Sequence, residues 1–287
     1  MAEHQVPQKD FVVSFASMLK RLKWMQECEE LIRHAPQPGE AGWMVPYVMI
    51  LSQIYHNDRW GWWTSALMMQ RLPDSPIPEI LWETQAHHET MKHLRDLIQH
   101  CYARGAGDQA YGFIVDQILW GLNRYRKDGS SDVNVPLSKN PPPEPYPGAM
   151  QEFGDIFNLQ LLMMHPYDYW GDLFAESRVG RGSKFYPTPM PVVRAMVDMT
   201  FSDERRNAAD WKEVAVKSAH DPCIGTGRMM LLTGDYCLRL SGQDVNYLVL
   251  KAATINAMLY VPWMAMSGEG VVKELIEAAE ADKAKKP

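Results

Sequence analysis

One stretch limits what this chain can become more than any other: Ala219-His220-Asp221-Pro222-Cys223-Ile224-Gly225-Thr226-Gly227-Arg228-Met229. An apolar run precedes it, a turn-forming Asp-Pro and two glycines occupy its middle, and an apolar helical pattern follows. That order predicts a strand, a tight loop and a helix N-terminus, the arrangement with which α/β proteins hold small charged ligands.

The flanking chain extends the pattern. Val214-Ala215-Val216 reads as the strand leading into His220, and Gly227 to about Cys237 as a helix. Gly242 to Asn246 closes a second short strand, and Tyr247 to Tyr260 returns to helix. Strand, helix, strand, helix is the opening of a parallel sheet. Upstream, Pro187, Pro189 and Pro191 precede a helical pattern from Val192 to Met199, with Pro191 well placed at a helix start.

Gly225 and Gly227 let backbone approach a ligand closely. Their spacing is neither the dinucleotide fingerprint nor a phosphate loop ending in Gly-Lys-Ser/Thr, which argues against a nucleoside triphosphate. Asp244 stands at the end of the second strand, where a carboxylate can accept hydrogen bonds from ribose hydroxyls. Loop and acid together read as a nucleoside-binding pair, or as a turn with a surface aspartate.

The first half follows helical periodicity. Apolar residues recur at three- and four-residue steps from Phe11 to about His34, then through Tyr47 to Ile54, and again through Trp60, Trp62, Trp63, Leu67 and Met68. The tryptophans read as core, because a base-stacking platform interleaves Arg and Lys. Pro78-Glu79 resembles a helix start, with the helix running to about Ala103, and another helix is expected from Tyr111 to about Tyr125. His88-Glu89 to His93 resembles a zinc-protease motif, but its five-residue step sets the imidazoles roughly 140° apart, so no shared metal is expected. Glu83 and His87 read as a helix surface rather than a chelate.

Residues 127 to 149 carry Asp-Gly-Ser-Ser and then Asn140-Pro141-Pro142-Pro143-Glu144-Pro145-Tyr146-Pro147, a composition that reads as an interdomain linker. Helical patterning resumes from Met150 to Met164 and from Tyr167 to Ser177. The domains expected are thus 1–126, all-helical, and 150–287, α/β, joined by that linker.

Net charge is -6, which does not favour an autonomous nucleic-acid binder. Four widely spaced cysteines read as free thiols in a reducing compartment, the cytoplasm, and no membrane span is expected. Ten tryptophans and nineteen methionines suggest adaptable apolar surface, including a protein or homo-oligomer interface on the helical domain.

Phe185-Tyr186-Pro187-Thr188-Pro189 followed by Asp221 to Met229 resembles the N6-adenine DNA methyltransferases, especially modification subunits of type I restriction systems and phage methylases. Tyr169 to Glu176 and Gly242-Gln243-Asp244 are similar to elements flanking that family's cofactor site. The resemblance covers roughly residues 165 to 266 and implies a partial Rossmann-like methyltransferase domain binding S-adenosylmethionine. It implies cofactor contacts at Tyr186, Thr188, Pro189, Asp221, Cys223, Gly225, Thr226 and Gly227, with Asp244 on the ribose, and DNA as substrate. The family's adenine-binding Asn/Asp-Pro-Pro-Tyr/Phe follows the cofactor motifs; nothing after Asp244 matches it, so no catalytic residue is assigned. Asn140-Pro141-Pro142-Pro143 lacks the aromatic and reads as linker. The implied activity is one part of a split adenine methyltransferase; the alternative is an inactive relative acting as an interaction protein in a restriction-modification or phage-host setting.

Overall fold

In the computed structural model the described residues are 39–127, 135–177, 185–205 and 211–266, with 268, 271 and 273. They all belong to one compact unit, Pro36–Pro287. The helix expected from Phe11 to His34 lies outside the described residues.

Helix α1 (Val45–Tyr55) has a proline in its first turn, and α2 (Arg59–Met69) is capped by Asp58, whose side chain accepts from Gly61 N. Asn57 and Asp58 both take positive φ, a conformation Asn and Asp tolerate, and so turn the chain between the two helices. Beyond α2, the helix expected to begin at Pro78-Glu79 is corrected at its start. Residues 72–87 run as an extended strap, and α3 begins only at His88 (His88–Ala103). Pro73, Pro76 and Pro78 remove donors, and the strap's carbonyls are used by side chains from elsewhere: Arg59 donates to Pro78 O and Asn57 to Glu79 O. Ile77, Ile80 and Trp82 are buried beneath it.

Helix α4 (Ala110–Gly121) buries every residue except Gly112 and Asp116, and packs on α11 (Tyr247–Tyr260), which is likewise apolar on most sides. Asp116 answers Lys251 across that contact at 2.7 Å. Between them in sequence come α5 (Ala149–Ile156), α6 (Leu159–Met164), α7 (Tyr169–Glu176), α8 (Met190–Arg205), α9 (Trp211–Ala215) and α10 (Arg228–Thr233); α12 (Pro262–Ala265) follows α11.

Three buried tryptophans tie distant parts of the chain together through their N–H groups, whereas the buried Trp170 Nε1 has no hydrogen-bond partner among the described residues. Trp60 Nε1 donates to Met258 O, Trp63 Nε1 to Met266 O and Trp263 Nε1 to Cys237 O. At roughly 25 cal/mol per Å² and about 200 Å² per ring, each such burial is worth about 5 kcal/mol before entropy. A boundary between residues 126 and 150 would cut through these contacts, and residues from both sides share a single core within Pro36–Pro287. Nor does the proline segment hang free: Ser138 N donates to Tyr125 O, Arg126 Nε to Val135 O, and Glu144 accepts from Gly148 N and Ala149 N. It behaves as a strapped connection inside one core.

Strands β1 (Ser218–Asp221) and β2 (Arg239–Gly242) pair in parallel, Ser218 opposite Arg239 and Asp221 opposite Gly242, with α10 in the crossover. The class is mostly helical with a small parallel α/β element, and among the described residues the sheet has two strands. The expected strand at Val214–Val216 is corrected: Val216 N bonds Lys212 O and Lys217 N bonds Val214 O, which are helical turns closing α9. The apolar run ends a helix, and the polar Ser-Ala-His-Asp that follows forms the strand. No helix among the described residues is long and apolar enough to cross a membrane.

Candidate functional site

At the C-terminal end of β1 the chain turns on Asp221, whose Oδ1 accepts from Cys223 N at 2.9 Å. Gln243 N donates to Asp221 O and Ile224 N to Gln243 O, which ties the loop to the end of β2. Gly225 and Gly227 take φ of +55° and +88°, and Gly227 caps α10. A Cβ at Gly225 would stand 2.9 Å from the Phe185 ring, so the strap Phe185–Pro189 lies close over the loop.

Asp244 completes the arrangement: Oδ2 accepts from Gly225 N at 3.1 Å and Oδ1 from Asn246 N at 2.9 Å. Each oxygen keeps a lone pair for a further donor. Asn246 in turn caps α11 by accepting from Leu248 N.

Beneath the loop lies a polar network. Asp168 is fully buried, caps α7 by accepting from Gly171 N, and accepts from Thr226 Oγ1 at 2.6 Å, Arg228 Nε at 2.9 Å and Asn256 Nδ2 at 2.8 Å. Arg228 also donates to Asp172 Oδ1, Asp168 O and Thr188 O, and Asn256 to Thr226 O. Burial opposes the guanidinium charge, but Asp168 and Asp172 outweigh it and hold Arg228 protonated more firmly than usual. Burial and the hydrogen bond to Asp172 raise the Tyr167 phenol, so it stays a donor.

Of the residues expected at the site, Tyr186, Thr188, Asp221, Cys223, Gly225 and Thr226 line one cleft of about 90 Å³. Gly227 and Asp244 are not among its lining residues: Gly227 caps α10, and Asp244 accepts from the lining residue Gly225. Pro189 is exposed and starts the turn into α8, its carbonyl accepting from Val192 N and Val193 N. Thr226 is 2% exposed with its hydroxyl given to Asp168, so that side chain holds the loop instead of facing the cleft.

Sequence reasoning missed Asp168, Arg228 and Asn256. The signals were present: Asp168 precedes Gly171 in capping register, and Asn256 is a lone amide in an otherwise apolar helix. His88, His93 and His100 find other uses or face solvent: His93 accepts from Asn158 N and His100 pairs with Glu152. Among the described residues no group of three His, Cys, Asp or Glu is placed to hold a metal ion.

Comparison of the chain with protein-family models, with curated proteins and with solved structures returns no match.

Proposed function

We propose that the loop Asp221–Gly227, the strap Phe185–Pro189 and Asp244 form an S-adenosylmethionine site, and that the protein supplies the cofactor half of a partner-dependent DNA adenine-N6 methyltransferase. The observation carrying this is the Asp244 carboxylate bonded to Gly225 N, which places loop and acid together at the C-terminal edge of two parallel strands. That edge is where open α/β sheets take their ligands.

The donor set suits such a ligand in kind. Asp221 and Asp244 offer acceptors for ribose hydroxyls and an ammonium group, the glycines leave room for close backbone approach, and Tyr186, 84% exposed, offers an aromatic surface. The cleft of about 90 Å³ accommodates one end of the ligand, not all of it. When bound, S-adenosylmethionine supplies an electrophilic methyl group; the chain's part is to bind and orient it. Asn140 lies exposed, its N–H bonded to Ser138 Oγ, and is not among the cleft residues. In this proposal recognition of the base falls to a partner.

Calorimetric titration with S-adenosylmethionine and with its demethylated product tests the proposal. Binding to the parent, reduced at least tenfold in Asp221→Ala, is expected; absence of binding by either compound ends it.

The second reading is an interaction protein without turnover. It is favoured by Val192, Met196 and Met199, which share one face of α8 and are 48%, 45% and 84% exposed beside the strap. A chain that stays monomeric at high concentration and methylates adenine unaided excludes it.

A further inference from the structure

A second cavity lies away from the glycine loop. It measures about 990 Å³ and opens between the start of α2, the proline strap, and the residues that precede β1 and follow α10. Trp211 and Val214 lead into the N-terminal end of β1, whereas the loop leaves its C-terminal end, so the two sites occupy opposite edges of the same β-α-β element. Its size is that of a small-molecule pocket.

The lining combines apolar and anionic groups. Trp62, Ile77, Trp211 and Val214 contribute apolar wall, and no Lys, Arg or His among the described residues lines it. Asp235 also faces it, but Arg59 and Trp82 already answer that carboxylate. Asp58 is different. It sits half-buried at the rim, in left-handed backbone with φ 61°, and its hydrogen bond from Gly61 N uses Oδ1. Burial raises its carboxyl above the ordinary value, the signature of a carboxylate short of compensation. The chain already lays one cation against this wall, since Lys212 Nζ stands 5.6 Å from the Trp211 ring centroid and 3.7 Å from Asp74.

We propose that this cavity binds a small organic cation with an apolar body, of the methylated or aromatic ammonium class. The body packs on Trp211, Ile77 and the strap prolines, and the charge sits against Asp58, where an aromatic wall and a partly desolvated carboxylate reinforce each other. An anion finds no Lys, Arg or His among the described lining residues, and a neutral ligand of the same shape forgoes the electrostatic part.

The test titrates the full chain with benzyltrimethylammonium, benzyl alcohol and phenylacetate, read by calorimetry and by tryptophan fluorescence. The cation binds about tenfold tighter than the alcohol, and phenylacetate binds weakest. Asp58→Asn keeps a capping side chain that tolerates left-handed backbone, so it weakens the cation about fivefold and leaves the alcohol unchanged. Equal affinity for cation and alcohol, or an Asp58→Asn protein that binds the cation as well as the parent, overturns the proposal. Should that variant melt early, nuclear Overhauser contacts in the parent decide: the probe's phenyl protons must meet the Trp211 ring, and their absence overturns it. Asp221→Ala leaves the probe's affinity unchanged, which separates this site from the glycine loop.

Discussion

Replacing Arg228 with Met removes a guanidinium that is 7% exposed while keeping most of its apolar stem. The partner left behind, Asp168, is fully buried, and a buried ion pair broken on one side costs about 3 to 5 kcal/mol. Asp168 is not left bare, because Gly171 N, Thr226 Oγ1 and Asn256 Nδ2 still donate to it. The loss for Arg228→Met therefore falls at the low end, about 3 kcal/mol. Asp168→Asn converts one acceptor oxygen into a donor facing either Thr226 or Asn256 and costs about 2 to 3 kcal/mol. Because both changes strike one network, the double variant is milder than the sum, with a coupling of about 1 to 2 kcal/mol. Urea unfolding at constant denaturant slope measures all three. An Arg228→Met loss under about 1 kcal/mol, or strict additivity, refutes the claim that this network holds the loop.

Two further outcomes follow from single residues. His56 is buried, its Nε2 against Met163 O at 2.7 Å, and burial lowers its pKa to about 4 from 6.5. The unfolded chain takes up this proton first, so stability falls as pH drops from 6.5 towards 4, by roughly 3 kcal/mol over the window. Unfolding followed between pH 6.5 and 5, above most carboxylate titration, checks it: the slope flattens in His56→Gln, and an unchanged slope contradicts the assignment. Gly225→Ala costs about 2 kcal/mol, from left-handed backbone and the close Phe185 ring. In a Phe185→Ala background only the backbone part, about 1 kcal/mol, remains, and an equal cost in both backgrounds counts against the close strap.

Local signals carried the elements whose ends are marked by their own side chains. The helix expected over Tyr247 to Tyr260 is found there because Asn246 caps its first turn and Pro262 follows its end. The glycine loop was legible for the same reason: Asp221 turns the chain and Gly227 starts the helix without help from distant residues. Failures arise where a long-range partner decides. Pro78-Glu79 has the chemistry of a helix start, but Arg59 and Asn57 claim the strap's carbonyls and Trp82 Nε1 reaches Asp235, so the segment is held extended. The proline-rich stretch reads locally as a linker, yet the helices on either side of it bury the same tryptophans. Asp168 and Asn256 stand far apart in sequence and meet only under the loop.

The polar residues in and around the loop divide into two sets, and the division separates stability from ligand affinity. Thr226, Arg228, Asp168 and Asn256 spend their donors and acceptors on one another in the interior, so they set where the loop lies. Asp221, Cys223, Asp244 and Tyr186 remain at least partly accessible, so they are the groups a ligand can meet. A substitution in the inner set lowers stability and ligand affinity together, in proportion, because it shifts the loop that carries the outer set. A substitution in the outer set lowers affinity while leaving the unfolding midpoint within about 0.5 kcal/mol of the parent. Thr226→Val and Tyr186→Ala, compared for both properties, therefore separate scaffold from contact: Thr226 lies within the cleft lining but belongs, by its bond to Asp168, with the scaffold.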